Sequence, residues 1–132
     1  MNNKSLLSTM WLLMVLNYLF CFMFSLYYSE RLHQLLSGEL HGITVTQEFL
    51  LAISILMEVP IVMILLTRVL KHKPNRVLNI VAAVIMLAVH LSGISPAGVS
   101  LHYYFFNAIE IVLCIGIVVT TIRWKEETIS NA

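Results

Sequence analysis

The chain has 132 residues, of which 59% are hydrophobic and only 11% charged, and its formal net charge is +1. A soluble domain of this size cannot bury so much apolar surface, because small folds leave a large fraction of their surface exposed. We therefore predict a single integral membrane domain over residues 1–132, with membrane lipid as its solvent. The small net charge excludes an electrostatic partner such as nucleic acid.

Four apolar segments are close to or above the length of about 20 residues that a helix needs to cross a bilayer. They cover approximately residues 6–28, 46–70, 77–94 and 102–124. Backbone groups in lipid have to be hydrogen-bonded within their own segment, which predicts helices. The predicted fold class is therefore all-α, a four-helix transmembrane bundle.

A short amphipathic helix is predicted between the first two spans, because Leu32, Leu35 and Leu36 recur at helical spacing among polar residues. Gly38 follows as a natural helix stop. We predict that this outer segment lies on the membrane surface; the alternative is a helical extension of the first span. The second span is predicted to open with a capping box that starts at Thr44.

The distribution of basic residues predicts the orientation. Only Arg31 lies between the first two spans. The other basic residues lie at the N-terminus, around the loop between the second and third spans, or toward the C-terminus: Lys4, Arg68, Lys71, Lys73, Arg76, Arg123 and Lys125. The positive-inside rule then places both termini in the cytoplasm, and we predict a multi-pass protein of a bacterial inner membrane. Residues 71–76 are predicted to form a tight cytoplasmic hairpin.

Two carboxyl groups, those of Glu58 and Glu110, fall inside predicted spans. A charged carboxylate near the middle of the hydrocarbon costs several kcal/mol unless it is neutralised, paired or hydrated, so such residues are functional candidates by default. The alternative is that each carboxyl group only holds neighbouring helices together through a hydrogen bond.

Each span gathers most of its polar side chains on one helical face. By spacing, the four faces are Asn17, Cys21, Phe24 and Tyr28; Gln47, Leu51, Ser54 and Glu58; Asn79, Ala83, Met86 and His90; and Tyr103, Asn107, Glu110 and Cys114. If all four faces turn inward, they line an outward-facing pocket. In that pocket Glu58 and Glu110 are the predicted polar anchors, with His90, Asn17 and Asn107 as hydrogen-bond partners.

No metal or disulfide chemistry is predicted. His90 with two glutamates has the right ligand types for a metal, but no closely spaced ligand pair supports a site. Cys21 and Cys114 lie in different spans without a Cys-x-x-Cys pair, which favours buried thiols. The sequence identifies no catalytic residue and no cofactor.

The second span and the residues after it carry a recognisable pattern: Thr46-Gln47-Glu48-Phe49-Leu50-Leu51, Met57-Glu58-Val59-Pro60-Ile61, Arg68-Val69-Leu70 and Asn75-Arg76. This pattern, together with Tyr103-Tyr104-Phe105-Phe106-Asn107-Ala108-Ile109-Glu110 in the last span, resembles an uncharacterised family of small four-helix bacterial membrane proteins. The layout is more distantly similar to the DoxX-like group, some of whose members accompany quinone-linked oxidoreductases. The first resemblance implies no activity.

The favoured function is the binding of a small lipophilic or amphipathic molecule in the intramembrane pocket. One alternative is an intramembrane acid–base enzyme acting on a lipid or quinone-like substrate. Another is a small proton-coupled transporter, which at this size has to form a homodimer. A fourth possibility is a subunit that only packs helices in a larger complex. A binder or an enzyme needs a cavity that reaches Glu58 within one protomer, whereas a transporter needs Glu58 at a subunit interface or on a path across the membrane.

Overall fold

The computed structural model describes residues 2–40, 43–92 and 100–125. In this part of the chain the helices are α1 (Asn3–Tyr27), α2 (Ser29–Leu36), α3 (Gln47–Val69), α4 (His72–Ser92) and α5 (Leu101–Arg123). Between α2 and α3, strand β1 (Glu39–Leu40) pairs antiparallel with β2 (Ile43–Thr44). The helices α1, α3, α4 and α5 are long and apolar enough to cross a membrane, which confirms the predicted all-α, four-span architecture.

The four long helices form a bundle in which α1 packs against α3 and α5, and α4 packs against α5. The contact between α3 and α4 is the weakest of the four sides. We call the end of the bundle that carries α2 the α2 end, and the opposite end, where α3 turns into α4, the hairpin end. Large apolar side chains such as Leu19, Phe22 and Val112 face outward from the bundle, as expected where lipid is the solvent.

Helix α4 begins five residues earlier than the sequence predicted, so the predicted hairpin over residues 71–76 is wrong. Only Leu70 and Lys71 separate α3 from α4. Pro74 lies in the first turn of α4, where its missing N–H is not needed for a helical hydrogen bond. Asn75 is buried, and its Nδ2 donates to the carbonyl oxygen of Thr67 at 2.7 Å, which closes the turn. Residues 93 and 94, with which the predicted third span ends, lie outside the described residues.

Helix α2 is separate from α1, because Tyr28 has extended backbone angles between them. Gly38 then adopts a left-handed φ of 76°, which confirms it as the helix stop. The predicted capping box is wrong, since Thr44 belongs to β2 and it is Thr46 that caps α3 by accepting from the backbone N–H of Phe49 at 3.1 Å. The position of α2 on a membrane surface stays a prediction.

A buried hydrogen-bond network holds the hairpin end together. Asn79 Oδ1 of α4 accepts from Trp11 Nε1 of α1 at 2.8 Å and from Thr67 Oγ1 of α3 at 3.4 Å. Asn79 Nδ2 donates to the backbone oxygen of Asn75 at 2.8 Å and to its Oδ1 at 2.7 Å. Oδ1 of Asn79 therefore joins α4 to α1 and α3, while Nδ2 bonds within α4, and this complete use of the side chain indicates a structural role.

Candidate functional site

A second group of buried polar side chains lies toward the α2 end, where α1, α4 and α5 meet. Helix α4 contributes His90, and helix α5 contributes Asn107 and Glu110, which share one face because they are three residues apart. Helix α1 contributes Tyr18. We call these four residues the polar centre; His90, Asn107 and Glu110 are 7%, 4% and 5% exposed.

His90 is the hub of the polar centre. Its Nδ1 lies 3.2 Å from Asn107 Oδ1 and 3.2 Å from Glu110 Oε2, and its Nε2 lies 2.7 Å from the hydroxyl oxygen of Tyr18. The Tyr18 ring is also stacked on the imidazole, with 5.4 Å between the ring centroids. A phenol, an imidazole and a carboxyl group thus form a continuous chain from α1 to α5.

The neighbours of His90 favour one of the two neutral tautomers of its imidazole ring. Both groups near Nδ1 present oxygen acceptors, so Nδ1–H satisfies this geometry by donating to Asn107 or Glu110. In the neutral imidazole, Nε2 is then an acceptor, and the hydroxyl of Tyr18 donates to it. These contacts fix the orientation of the ring and are consistent with the tautomer that is protonated on Nδ1.

Glu110 is left with one unused oxygen. Its Oε2 lies next to His90, but Oε1 is buried and has no hydrogen-bond partner among the described residues. An unsatisfied buried acceptor costs about 1–3 kcal/mol. Among the described residues, this oxygen is therefore the one acceptor of the polar centre that is buried without a hydrogen-bond partner.

Of the five predicted site residues, the structure brings three together: His90, Asn107 and Glu110. Asn17 does not join them, because its Nδ2 donates to the carbonyl oxygen of Leu13 in its own helix at 2.8 Å. Tyr18, the next residue along the chain, contacts His90 instead, and the sequence did not predict it. The available signal was the spacing of Leu7, Trp11, Met14 and Tyr18, which all lie on the inner face of α1.

Glu58 is also separate from the polar centre. It is exposed and lines a groove between α3 and α4 to which α5 contributes no residue. The predicted inward orientation of the second polar face is wrong, since Gln47, Leu51, Ser54 and Glu58 are all exposed. The inner face of α3 is instead formed by Pro60, Met63 and Thr67. In a membrane both faces of a helix are apolar, so hydrophobicity does not tell the inner face from the outer one.

The polar faces predicted for the third and fourth spans do turn inward. Asn79, Ala83, Met86 and His90 are all buried on α4, and Asn107, Glu110 and Cys114 are buried on α5. Cys114 and Cys21 are free thiols. Within residues 2–40, 43–92 and 100–125, no three His, Cys, Asp or Glu side chains are grouped closely enough to hold a metal ion.

Comparison with protein families decides where the chain belongs. A model described as a family of unknown function matches residues 1–131. The chain belongs to this family, DUF6326. A search of curated proteins and a search of solved structures found no match for this DUF6326 chain. Membership confirms the predicted resemblance to an uncharacterised family, while the bacterial origin and the DoxX-like similarity stay predictions.

The polar centre of this DUF6326 protein is equipped for two kinds of chemistry. The free oxygen of Glu110 can accept a hydrogen bond or pair with a cation. The chain of Tyr18, His90 and Glu110 can shift a proton along its hydrogen bonds, because each member is a titratable group within hydrogen-bond reach of the next. Which of these matters depends on what occupies the site.

Proposed function

We propose that this protein binds the polar head of a small lipophilic molecule at the polar centre, inside the membrane. The single observation that supports this proposal is the buried, unpartnered Oε1 of Glu110. Both ring nitrogens of His90 already have partners within the polar centre. A ligand that donates a hydrogen bond to Oε1 therefore satisfies the last acceptor without disturbing the others.

The proposed ligand is lipophilic because of where the site lies. By helical rise, Glu110 is roughly 14 Å from the start of α5, and the surface of the bundle around this depth is apolar. Leu19, Phe22 and Phe105 are 61%, 61% and 63% exposed. A molecule that reaches the polar centre from such surroundings has to be soluble in lipid and carry one hydroxyl or amine group as a donor.

Mass spectrometry of molecules that co-purify with the protein tests this proposal. The protein is purified in native lipid, extracted with organic solvent and compared with Glu110→Gln. Glu48→Gln is the matched control, because Glu48 is exposed in the first turn of α3 and loses the same charge. We expect one small lipophilic molecule enriched over bulk lipid in the wild type and in Glu48→Gln, and reduced at least about tenfold in Glu110→Gln, since 1.4 kcal/mol corresponds to a factor of ten. Equal amounts in all three proteins contradict the proposal.

An intramembrane acid–base enzyme is the second candidate, and the distance of 2.7 Å between the Tyr18 hydroxyl and His90 Nε2 favours it. A phenol that donates to an imidazole backed by a carboxyl group is suited to transferring a proton to or from a substrate. Tyr18→Phe removes the hydroxyl but keeps the stacked ring. If the protein is an enzyme, the molecules recovered from the wild type and from Tyr18→Phe differ in mass or, for an isomerisation, in chromatographic retention time. If it only binds, the two molecules are identical.

We further propose the location that the basic residues predict: a bacterial inner membrane, with both termini in the cytoplasm and the α2 end outside. The polar centre then lies in the outer half of the bilayer, and its ligand enters from the outer leaflet or the outer aqueous phase. The alternative of a proton-coupled transporter requires a homodimer with Glu58 at the subunit interface.

A further inference from the structure

A groove between α3 and α4 forms a place for a ligand that is separate from the polar centre. It has a volume of about 340 Å³ and opens on the outer surface of the bundle, along the side where the two helices are in weakest contact. Its walls are formed by Ile55, Glu58, Val59, Val62, Met63, Leu78, Val81, Ala82 and Ile85. None of these residues belongs to the polar centre.

Glu58 is the one polar side chain among the nine that line the groove. It is exposed and makes no hydrogen bond or ion pair with any residue that the structure describes. By helical rise it lies roughly 16 Å from the start of α3, which is about half the thickness of a hydrocarbon core of roughly 30 Å. The groove therefore combines an aliphatic wall with one unpartnered carboxyl group near the middle of the membrane.

No basic side chain among the described residues pairs with this carboxyl group. Along α3 the first basic residue is Arg68, ten positions further on, and its Nε donates to Ser8 Oγ at 2.9 Å. On α4 the basic side chains nearest in sequence to the groove are Arg76, which donates to carbonyl oxygens at the end of α5, and His90, which belongs to the polar centre. The basic side chains that the structure describes thus leave Glu58 without a counter-ion, so the carboxyl group is available to a cationic ligand.

We propose that the groove binds a lipophilic amine, whose ammonium group pairs with Glu58 and whose apolar body fills the space between α3 and α4. The volume of the groove is within the range of about 300–1,000 Å³ that is typical of small-molecule sites. A cation is the ligand head that neutralises the carboxylate in hydrocarbon, which a hydroxyl group does not do. A second copy of the chain suits the groove less well. Its described lysines and arginines all lie near helix ends or in α2, away from the middle of the membrane where Glu58 lies. A two-fold contact between two grooves would also bring the two Glu58 carboxyl groups together.

Two probes of the same shape test this proposal: 1-adamantanamine, which carries an ammonium group, and 1-adamantanol, which does not. Binding is measured by equilibrium dialysis against the full chain in phosphatidylcholine nanodiscs, after subtraction of the uptake by empty nanodiscs. The variants are Glu58→Gln, which removes the charge from an exposed side chain, and Val81→Trp, which fills the groove from an exposed position. Glu48→Gln is the matched control for loss of a charge on α3.

We expect the wild type and Glu48→Gln to bind the amine at least about tenfold more tightly than the alcohol, a difference of about 1.4 kcal/mol. Glu58→Gln should abolish this preference, and Val81→Trp should weaken the binding of both probes. Equal binding of amine and alcohol by the wild type overturns the proposal, as does a preference that survives Glu58→Gln. Failure of both probes to bind, together with a dimer in native mass spectrometry that Glu58→Gln dissociates, also overturns it and shows a second copy in the groove.

Discussion

At the scale of single residues, Asn79 and Glu110 are both buried polar side chains, but they differ in how completely their hydrogen-bonding capacity is used. Asn79 donates twice and accepts from Trp11 and Thr67. Glu110 has a partner on Oε2 and none on Oε1 within the described part of the chain. The pattern at Asn79 is typical of a residue that stabilises the fold, whereas Glu110 keeps one acceptor that a ligand can use.

Replacing Asn79 should destabilise the bundle. Asn79→Ala leaves Trp11 Nε1 without an acceptor and breaks the connection among α1, α3 and α4, so we expect a loss of about 1–2 kcal/mol in the free energy of unfolding. Asn17→Ala is the matched control, because Asn17 bonds only to its own helix. Thermal unfolding in detergent measures the difference. Equal effects of the two changes would show that the network is not important for stability.

Individual residues also show how far sequence could predict the polar centre. His90, Asn107 and Glu110 were predicted because polar residues at helical spacing on α4 and α5 stand out from an apolar background. Tyr18 was not predicted, since a tyrosine in a span is read as apolar and Asn17, one residue away, has the more polar side chain. A shift of one residue rotates the assigned face by about 100°, and only packing determines which of the two points inward.

At the scale of elements, the ends of α4 and α5 are joined at the hairpin end by side chains that bond to backbone. Arg76 of α4 donates from Nε to the carbonyl oxygen of Thr121 at 3.1 Å, and from a second guanidinium nitrogen to that of Ile122 at 3.3 Å. These carbonyls belong to the last turn of α5, where helices lack internal donors and a cation is favourable. Arg76 is thus a cap for α5 supplied by another helix.

Loss of this cap should fray the end of α5. In Arg76→Gln we expect amide hydrogen exchange in residues 118–124 to rise several-fold, because the last carbonyls lose charged donors. Arg123→Gln is the control, since Arg123 also lies in the last turn of α5 but is exposed. Exchange that rises equally in both variants, or in neither, would contradict the capping role of Arg76.

Elements also show where sequence reasoning fails in a membrane. Four spans were predicted correctly from length and hydrophobicity, but the inner face of α3 was not. Its polar face, which includes Gln47, Ser54 and Glu58, was expected to turn inward and is instead exposed. The start of α4 was placed too late because Pro74 and the charges around it suggest a turn. Proline is tolerated in the first turn of a helix, and Asn75 reaches back to α3, so the helix starts before them.

At the scale of the whole molecule, the polar centre and Glu58 lie on different sides of the bundle. The polar centre is enclosed where α1, α4 and α5 pack together, whereas Glu58 lies on the open side between α3 and α4. The hairpin end is fixed by the network around Asn79. In the described part of the chain, hydrogen bonds thus link the helices at the hairpin end, whereas a buried acceptor toward the α2 end has no partner.

The orientation of the bundle can be measured directly. After Cys21 and Cys114 are replaced by serine, single cysteines at Gln34 in α2 and at Lys71 between α3 and α4 are labelled in intact bacterial cells with a membrane-impermeant maleimide. We expect labelling at position 34 only, because the basic residues retain the hairpin end in the cytoplasm. The reverse pattern would place the polar centre in the inner half of the bilayer.

We propose that a molecule from outside the chain occupies the polar centre. The most direct measurement is a high-resolution experimental structure of the protein purified in native lipid. We predict non-protein density with a donor atom within about 3.2 Å of Glu110 Oε1, a normal hydrogen-bond distance, and an apolar body that extends from it. A structure in which Oε1 bonds to another group of the protein, with no density beside it, would contradict the claim.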